Sequence, residues 1–81
     1  MLKGKVILIT GGTGSIGREL VRQVRAEKPA QVRVFSRDES KQFELVQELK
    51  HPKNLRLFIG DIRDKERLAF AFKDVNIVIH A

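Results

Sequence analysis

The 81 residues include no cysteine, no tryptophan and no tyrosine, with only two prolines and one methionine. Without cysteine there are no disulfides and no thiolate metal sites, a composition that fits a reducing, cytoplasmic compartment. No apolar run approaches the roughly 20 residues of a membrane-spanning helix, so no membrane partner is expected. Met1–Lys5, ahead of the first apolar run, is expected to be too short for a signal peptide. The lack of tyrosine and tryptophan leaves few platforms on which bases could stack. The five phenylalanines sit in apolar positions, and the basic residues are interleaved with acids, as in Arg63-Asp64-Lys65-Glu66-Arg67. The net charge of +6 therefore reads as a solvated basic surface suited to anionic small ligands, not as a nucleic-acid interface. Hydrophobic residues at 42% and charged residues at 32% describe an ordinary globular chain, with length for one small domain.

The stretch Thr10-Gly11-Gly12-Thr13-Gly14-Ser15-Ile16-Gly17 follows an apolar run, Val6-Ile7-Leu8-Ile9, and leads into a segment of helical periodicity. Its glycines satisfy Gly12-x-Gly14-x-x-Gly17 and Gly11-x-x-Gly14-x-x-Gly17 together. Between a strand and a helix, such glycines permit a tight turn, close approach of backbone to a pyrophosphate and close helix–strand packing. The helix start adds free N–H groups and the positive end of its dipole.

Strand-like and helix-like segments alternate along the rest of the chain, the signature of a parallel sheet. Strands are expected at Lys5–Thr10, Val32–Ser36, Leu55–Ile59 and Val75–His80. Helices are expected at Ser15–Glu27, Glu39–Leu49 and Lys65–Phe72, the last capped by Asp64. Ile16, Leu20, Val21 and Val24 form the inward stripe of the first helix, Phe43, Val46 and Leu49 that of the second, and Leu68, Ala71 and Phe72 that of the third. The fold class is α/β: a Rossmann-type β-α-β-α-β-α-β half with strand order 3-2-1-4, two helices on one face and the third on the other. The fourth strand is then an apolar edge, expected to self-associate unless covered, and one helix leaves its sheet face partly bare. Residues 1–81 thus read as the N-terminal part of a larger NAD(P)-binding domain.

A dinucleotide would be read at three further places. About 20 residues past the glycines, where an NAD-selective site carries an acid, stand Ser36 and Arg37, with Lys41 one helical turn on. A hydroxyl and a guanidinium suit a 2′-phosphate, which favours NADP. The other reading makes Ser36 and Glu39 a capping box with Arg37 solvated, and Asp38 and Glu39 are nearby acids that weigh against the phosphate. After the third strand, Asp61 can accept from an adenine amino group and Ile62 can lie on the ring; alternatively Asp61 serves the cap of the third helix. After the fourth strand, Ala81 is small enough for cofactor to pass. His80, with no nucleophile or acid placed beside it, reads as structural, and His51 as surface.

Together, Thr10–Gly17, Phe35-Ser36-Arg37-Asp38-Glu39, Gly60-Asp61-Ile62-Arg63-Asp64 and His80-Ala81 resemble the start of the extended short-chain dehydrogenase/reductases. The resemblance is to their polysaccharide-biosynthesis branch, which contains the inverting UDP-N-acetylglucosamine 4,6-dehydratases. It implies a dimeric or hexameric cytoplasmic enzyme holding NADP and acting on a nucleotide sugar: oxidation at C4, loss of water across C5–C6, and hydride return at C6. It also implies Thr13, Gly14, Ser15 and Ile16 on the pyrophosphate, Ser36 to Lys41 on the 2′-phosphate, Asp61 and Ile62 on the adenine, and Ala81 along the cofactor. The branch's catalytic Tyr-x-x-x-Lys has no counterpart here, so no catalytic residue is expected within these residues. A nucleotide-sugar epimerase or reductase of the same superfamily, or a non-catalytic NADP-binding module, is the alternative.

Overall fold

The computed structural model describes residues 1–11 and 13–81; Gly12, part of the glycine motif, lies outside the described residues. The order is β1 (Val6–Thr10), α1 (Ser15–Ala26), β2 (Gln31–Ser36), α2 (Glu39–Glu48), β3 (Leu55–Ile59), α3 (Lys65–Phe72) and β4 (Ile77–His80). All pairings are parallel and the strand order is β3-β2-β1-β4, as the crossover rule requires. Register runs Val6↔Gln31 to Thr10↔Phe35, Val32↔Leu55 to Ser36↔Ile59, and Ile7↔Ile77 to Thr10↔His80. Four carboxyl-terminal strand ends thus open on one edge.

The side-chain period of two divides the core. Ile7, Ile9, Val32 and Val34 meet Val21 and Val24 of α1 and Leu45 of α2 on one face. Leu8 and Phe35 meet Ala71 of α3 on the other, with Phe58, Leu68 and Val75 around them. Arg18 and Arg22 of α1 also pair with Glu44 and Glu48 of α2. Exposed pairs of this kind contribute about 0.2–1 kcal/mol each. Burying one large aliphatic side chain contributes about 1.5–3 kcal/mol, so apolar burial seats the helices.

The element ends differ from the expected ones for local reasons. Gly4 turns at φ +75 and the N–H of Lys5 donates to the Leu2 carbonyl, so β1 begins at Val6. Lys28 has φ 57 ahead of Pro29, and Lys50 and His51 have φ 61 and 52; left-handed residues close α1 at Ala26 and α2 at Glu48. Asp74, at φ 63, breaks the chain before Val75, and the Asn76 side chain accepts from the Val6 N–H (2.8 Å). The strand therefore starts at Ile77.

Three expected inward residues face out. Ile16 is exposed, and Gly17 is buried in its place, so α1 lies close to the sheet. In α2 the stripe is shifted by one position: Gln42 and Leu45 are buried while Phe43 is exposed. In α3 only Ala71 is buried, and Phe70 and Phe72 face outward. On the edge strand β4, Ile77 and Ile79 are half-buried and Val78 is exposed.

A cleft at the strand ends

The glycine turn is tied into the sheet. Gly11 sits at φ +72, its N–H donates to the Phe35 carbonyl (2.9 Å), and a Cβ here would lie 3.0 Å from the Ala81 carbonyl oxygen. The Ala81 N–H donates to the Thr10 carbonyl (2.9 Å), so the ends of β1, β2 and β4 meet at this residue. Beyond it, Thr13 is buried and its carbonyl accepts from Arg18 Nε (3.2 Å). Gly14 is the N-cap of α1 in an extended conformation. Among the described residues no side chain caps this helix, and its first turn holds no acid, whereas Asp38 caps α2 and Asp64 caps α3. Among the described residues the N–H groups from Ser15 to Gly17 have no side-chain cap, and they stand at the positive end of the helix dipole. The side chains of Ser15 and Ile16 lie away from the strand ends, in a shallow outer hollow with Leu20 and Gln23.

At the end of β2, Ser36 is buried and its Oγ accepts from Gln42 Nε2 (2.8 Å). The Ser36–Glu39 capping box does not form. Ser36 is still in the strand, and the cap is Asp38, which accepts from the Lys41 N–H (3.0 Å). That bond directs the Asp38 carboxylate toward the helix backbone. Arg37 is 75% exposed and pairs with Asp61 at 3.6 Å. A hollow of about 480 Å³ joins Thr13 to Arg37, Asp38, Glu39 and Ser40. Lys41 does not line this hollow.

At the end of β3, Gly60 donates to the Ser36 carbonyl (2.9 Å). The Asp61 carboxylate accepts from the Arg63 backbone N–H (2.9 Å) and from its guanidinium (Nη2, 2.7 Å). The Arg63 guanidinium holds the Asp61 carboxyl well below the usual carboxylate range, with Arg37 adding to the effect, so Asp61 is a fixed anion at neutral pH. Asp61 does not cap α3, because Asp64 accepts from the Arg67 N–H. Ile62 is half-exposed. A Cβ on Gly60 would lie 2.8 Å from Arg67 Cγ and 3.1 Å from Phe35 Cζ. The arginine stem can move but the buried ring cannot, so Gly60→Ala is expected to cost about 1–2 kcal/mol in urea unfolding. A neutral result would mean that the ring yields.

These ends enclose a cleft of about 340 Å³ lined by Thr10, Gly11, Phe35, Ser36, Arg37, Gly60, Asp61, Ile62, Arg63 and His80. It opens at the carboxyl ends of the strands, where the order reverses between β1 and β4, the usual ligand position in open α/β sheets. Of the residues singled out from sequence, Gly11, Ser36, Arg37, Asp61 and Ile62 converge there, Thr13 lies in the adjoining hollow and Ala81 abuts Gly11. Ser40, Gln42 and Arg63 were not singled out. Arg63 lay in view within the Gly60–Asp64 motif, whereas Gln42 could be found only by shifting the α2 stripe. His80 shares a hydrogen bond between its Nδ1 and Thr10 Oγ1. Among the described residues there is no cluster of three or more metal-binding side chains, and no helix is long and apolar enough to cross a membrane.

The polysaccharide biosynthesis protein family matches the chain over residues 7–81. A UDP-N-acetylglucosamine 4,6-dehydratase (inverting) of Campylobacter jejuni is 50% identical over all of the chain and 24% of its own length. An uncharacterized membrane protein of Methanocaldococcus jannaschii is 49% identical over 98% of the chain and 23% of its own length. Among solved structures, Pen from Bacillus thuringiensis superposes with a TM-score of 0.95 at 44% identity, covering 100% of this chain and 25% of that one. The Bordetella bronchiseptica enzyme WbmF, solved with NAD+ and UDP, has a TM-score of 0.81 at 24% identity over 99% of this chain and 23% of that one, a likeness of fold alone. The chain spans about a quarter of the length of the relatives it matches.

Proposed function

We infer the function of this chain from the fact that it belongs to the polysaccharide biosynthesis protein family, among the extended short-chain dehydrogenase/reductases. Its residues form the N-terminal part of a dinucleotide-binding domain and hold NADP. The protein it serves acts on a nucleotide sugar as a 4,6-dehydratase, a reading supported by the 50% identity to the Campylobacter jejuni enzyme.

One observation carries the cofactor reading. The hollow beside Thr13, just ahead of the start of α1, is lined across from it by Arg37, with Asp38, Glu39 and Ser40; Ser36 stands at the last position of β2, and the Asp38 carboxylate is drawn to the Lys41 N–H of α2. A pyrophosphate would take the backbone N–H groups at Gly14, Ser15, Ile16 and Gly17, with Gly11 and Thr13 shaping the turn beneath it. Ser36 and the exposed Arg37 guanidinium would hold the 2′-phosphate, with Lys41 adding positive charge one turn into α2. The adenine would lie against Ile62, with its amino group toward Asp61, whose carboxylate keeps lone pairs beyond those used by Arg63. Ala81 would border the rest of the cofactor. When bound, the nicotinamide supplies a hydride acceptor and donor; these residues bind and orient it. Calorimetric titration tests the reading, with NADP expected to bind at least about tenfold more tightly than NAD, since a charge-assisted contact is made only to the phosphate. Equal affinity, or preference for NAD, would overturn it.

A further inference from the structure

Gln42 is polar, 2% exposed, and buried on the inner side of α2 where an apolar residue would be ordinary. Its Nε2 lies 2.9 Å from the Phe58 carbonyl oxygen and 2.8 Å from Ser36 Oγ, with the Ser36 carbonyl at 3.5 Å. A carbonyl oxygen can only accept, so the amide end facing Phe58 is the NH2 group. Its two hydrogens are then committed to the two short contacts, and Ser36 Oγ is an acceptor toward Gln42. The amide's other end, Oε1, is buried without a partner among the described residues. An unmet acceptor is a cost, so the donor end is what justifies a glutamine in this position.

The consequence falls on the serine. A hydroxyl that accepts from Gln42 must send its own hydrogen elsewhere, and no acceptor for it stands among the described residues. Ser36 lines the cleft at the strand ends, and its neighbour Arg37 borders both that cleft and the adjoining hollow. We propose that Gln42 is a positioning residue that fixes Ser36 as a hydrogen-bond donor toward the cleft, and so selects a ligand presenting a proton-free acceptor there. This rests on the placement of the 2′-phosphate at Ser36 proposed above, and it gives that phosphate a second, uncharged determinant inherited from α2.

The test measures Kd for NADP and for NAD in the protein and in the variants Ser36→Ala, Gln42→Met, Gln42→Glu and the double variant Ser36→Ala/Gln42→Met. Ser36→Ala is expected to lower the NADP preference by about tenfold, the usual effect of losing one hydrogen bond to a charged group. Gln42→Met is expected to lower it several-fold, and in the Ser36→Ala background to lower it no further. Gln42→Glu keeps the volume but turns the donor into an acceptor that captures the serine hydrogen, so its loss should at least match that of methionine. A role confined to packing would weaken NADP and NAD equally in both Gln42 variants, and that result would overturn the proposal. So would additive losses in the double variant. An unchanged preference in Ser36→Ala would instead remove the phosphate from Ser36, and the proposal would fall with it.

Discussion

Arg37→Asp lowers the affinity for NADP by about 100-fold while NAD loses no more than a few-fold, the expected result of removing a charge-assisted contact and setting a carboxylate against a phosphate. The wild-type guanidinium is largely free to serve a ligand. It is 75% exposed, and its ion pair, at 3.6 Å to Asp61, is of a kind that contributes little in water. The small loss expected for NAD comes from that pair, because an aspartate at 37 would face Asp61, which Arg63 keeps ionised. Arg37→Gln separates the two effects: it removes the attraction without adding repulsion, and about a tenfold loss confined to NADP is expected. Fluorescence or calorimetric titration measures both, and equal losses for the two cofactors would refute the role.

Gly11→Val is expected to cost about 3 kcal/mol of stability in urea or thermal unfolding. Two effects combine. A left-handed backbone costs an ordinary residue about 1–2 kcal/mol, and a β-branched one more, and Gly11 sits at φ +72. The added Cβ would also press to 3.0 Å from the Ala81 carbonyl, against backbone that cannot swing aside like a flexible side chain. Relief requires the end of β4 to move, which strains the Ala81–Thr10 hydrogen bond. Gly11→Ala carries the same contact with less crowding and is expected to cost about 2 kcal/mol. Losses below about 1 kcal/mol in both would show that the turn has another conformation available.

The topology was legible because the sheet's demands are strong: apolar runs spaced by helical segments, with right-handed crossovers, leave little choice but 3-2-1-4. Boundaries were less legible where termination depends on a backbone state that residue type does not announce. Lys28, Lys50 and Asp74 all adopt positive φ without being glycine or asparagine. The stripes of α2 and α3 are not legible from hydrophobicity, because hydrophobicity is not burial: Phe43 and Phe72 face outward while Gln42 is buried. The site divides in the same way. Glycines, Ser36, Arg37, Asp61 and Ile62 follow from position relative to strand ends, which spacing fixes. The capping box failed because S-x-x-E does not reveal whether the serine has left its strand. Gln42, whose importance lies in which atoms it meets across α2 and β3, leaves no mark in spacing.

The pairing of β1 with β4 carries a kinetic consequence. Ile7 and Ile77 are joined across nearly the whole chain, whereas β1 meets β2, and β2 meets β3, over much shorter loops. Loop-closure entropy makes the β1–β4 seam the most costly contact to form, and such distant pairings slow folding. That seam also borders the cleft, through Gly11, His80 and Ala81. A ligand seated there would bridge the pairing that the chain finds hardest to reach, and so slow its reopening.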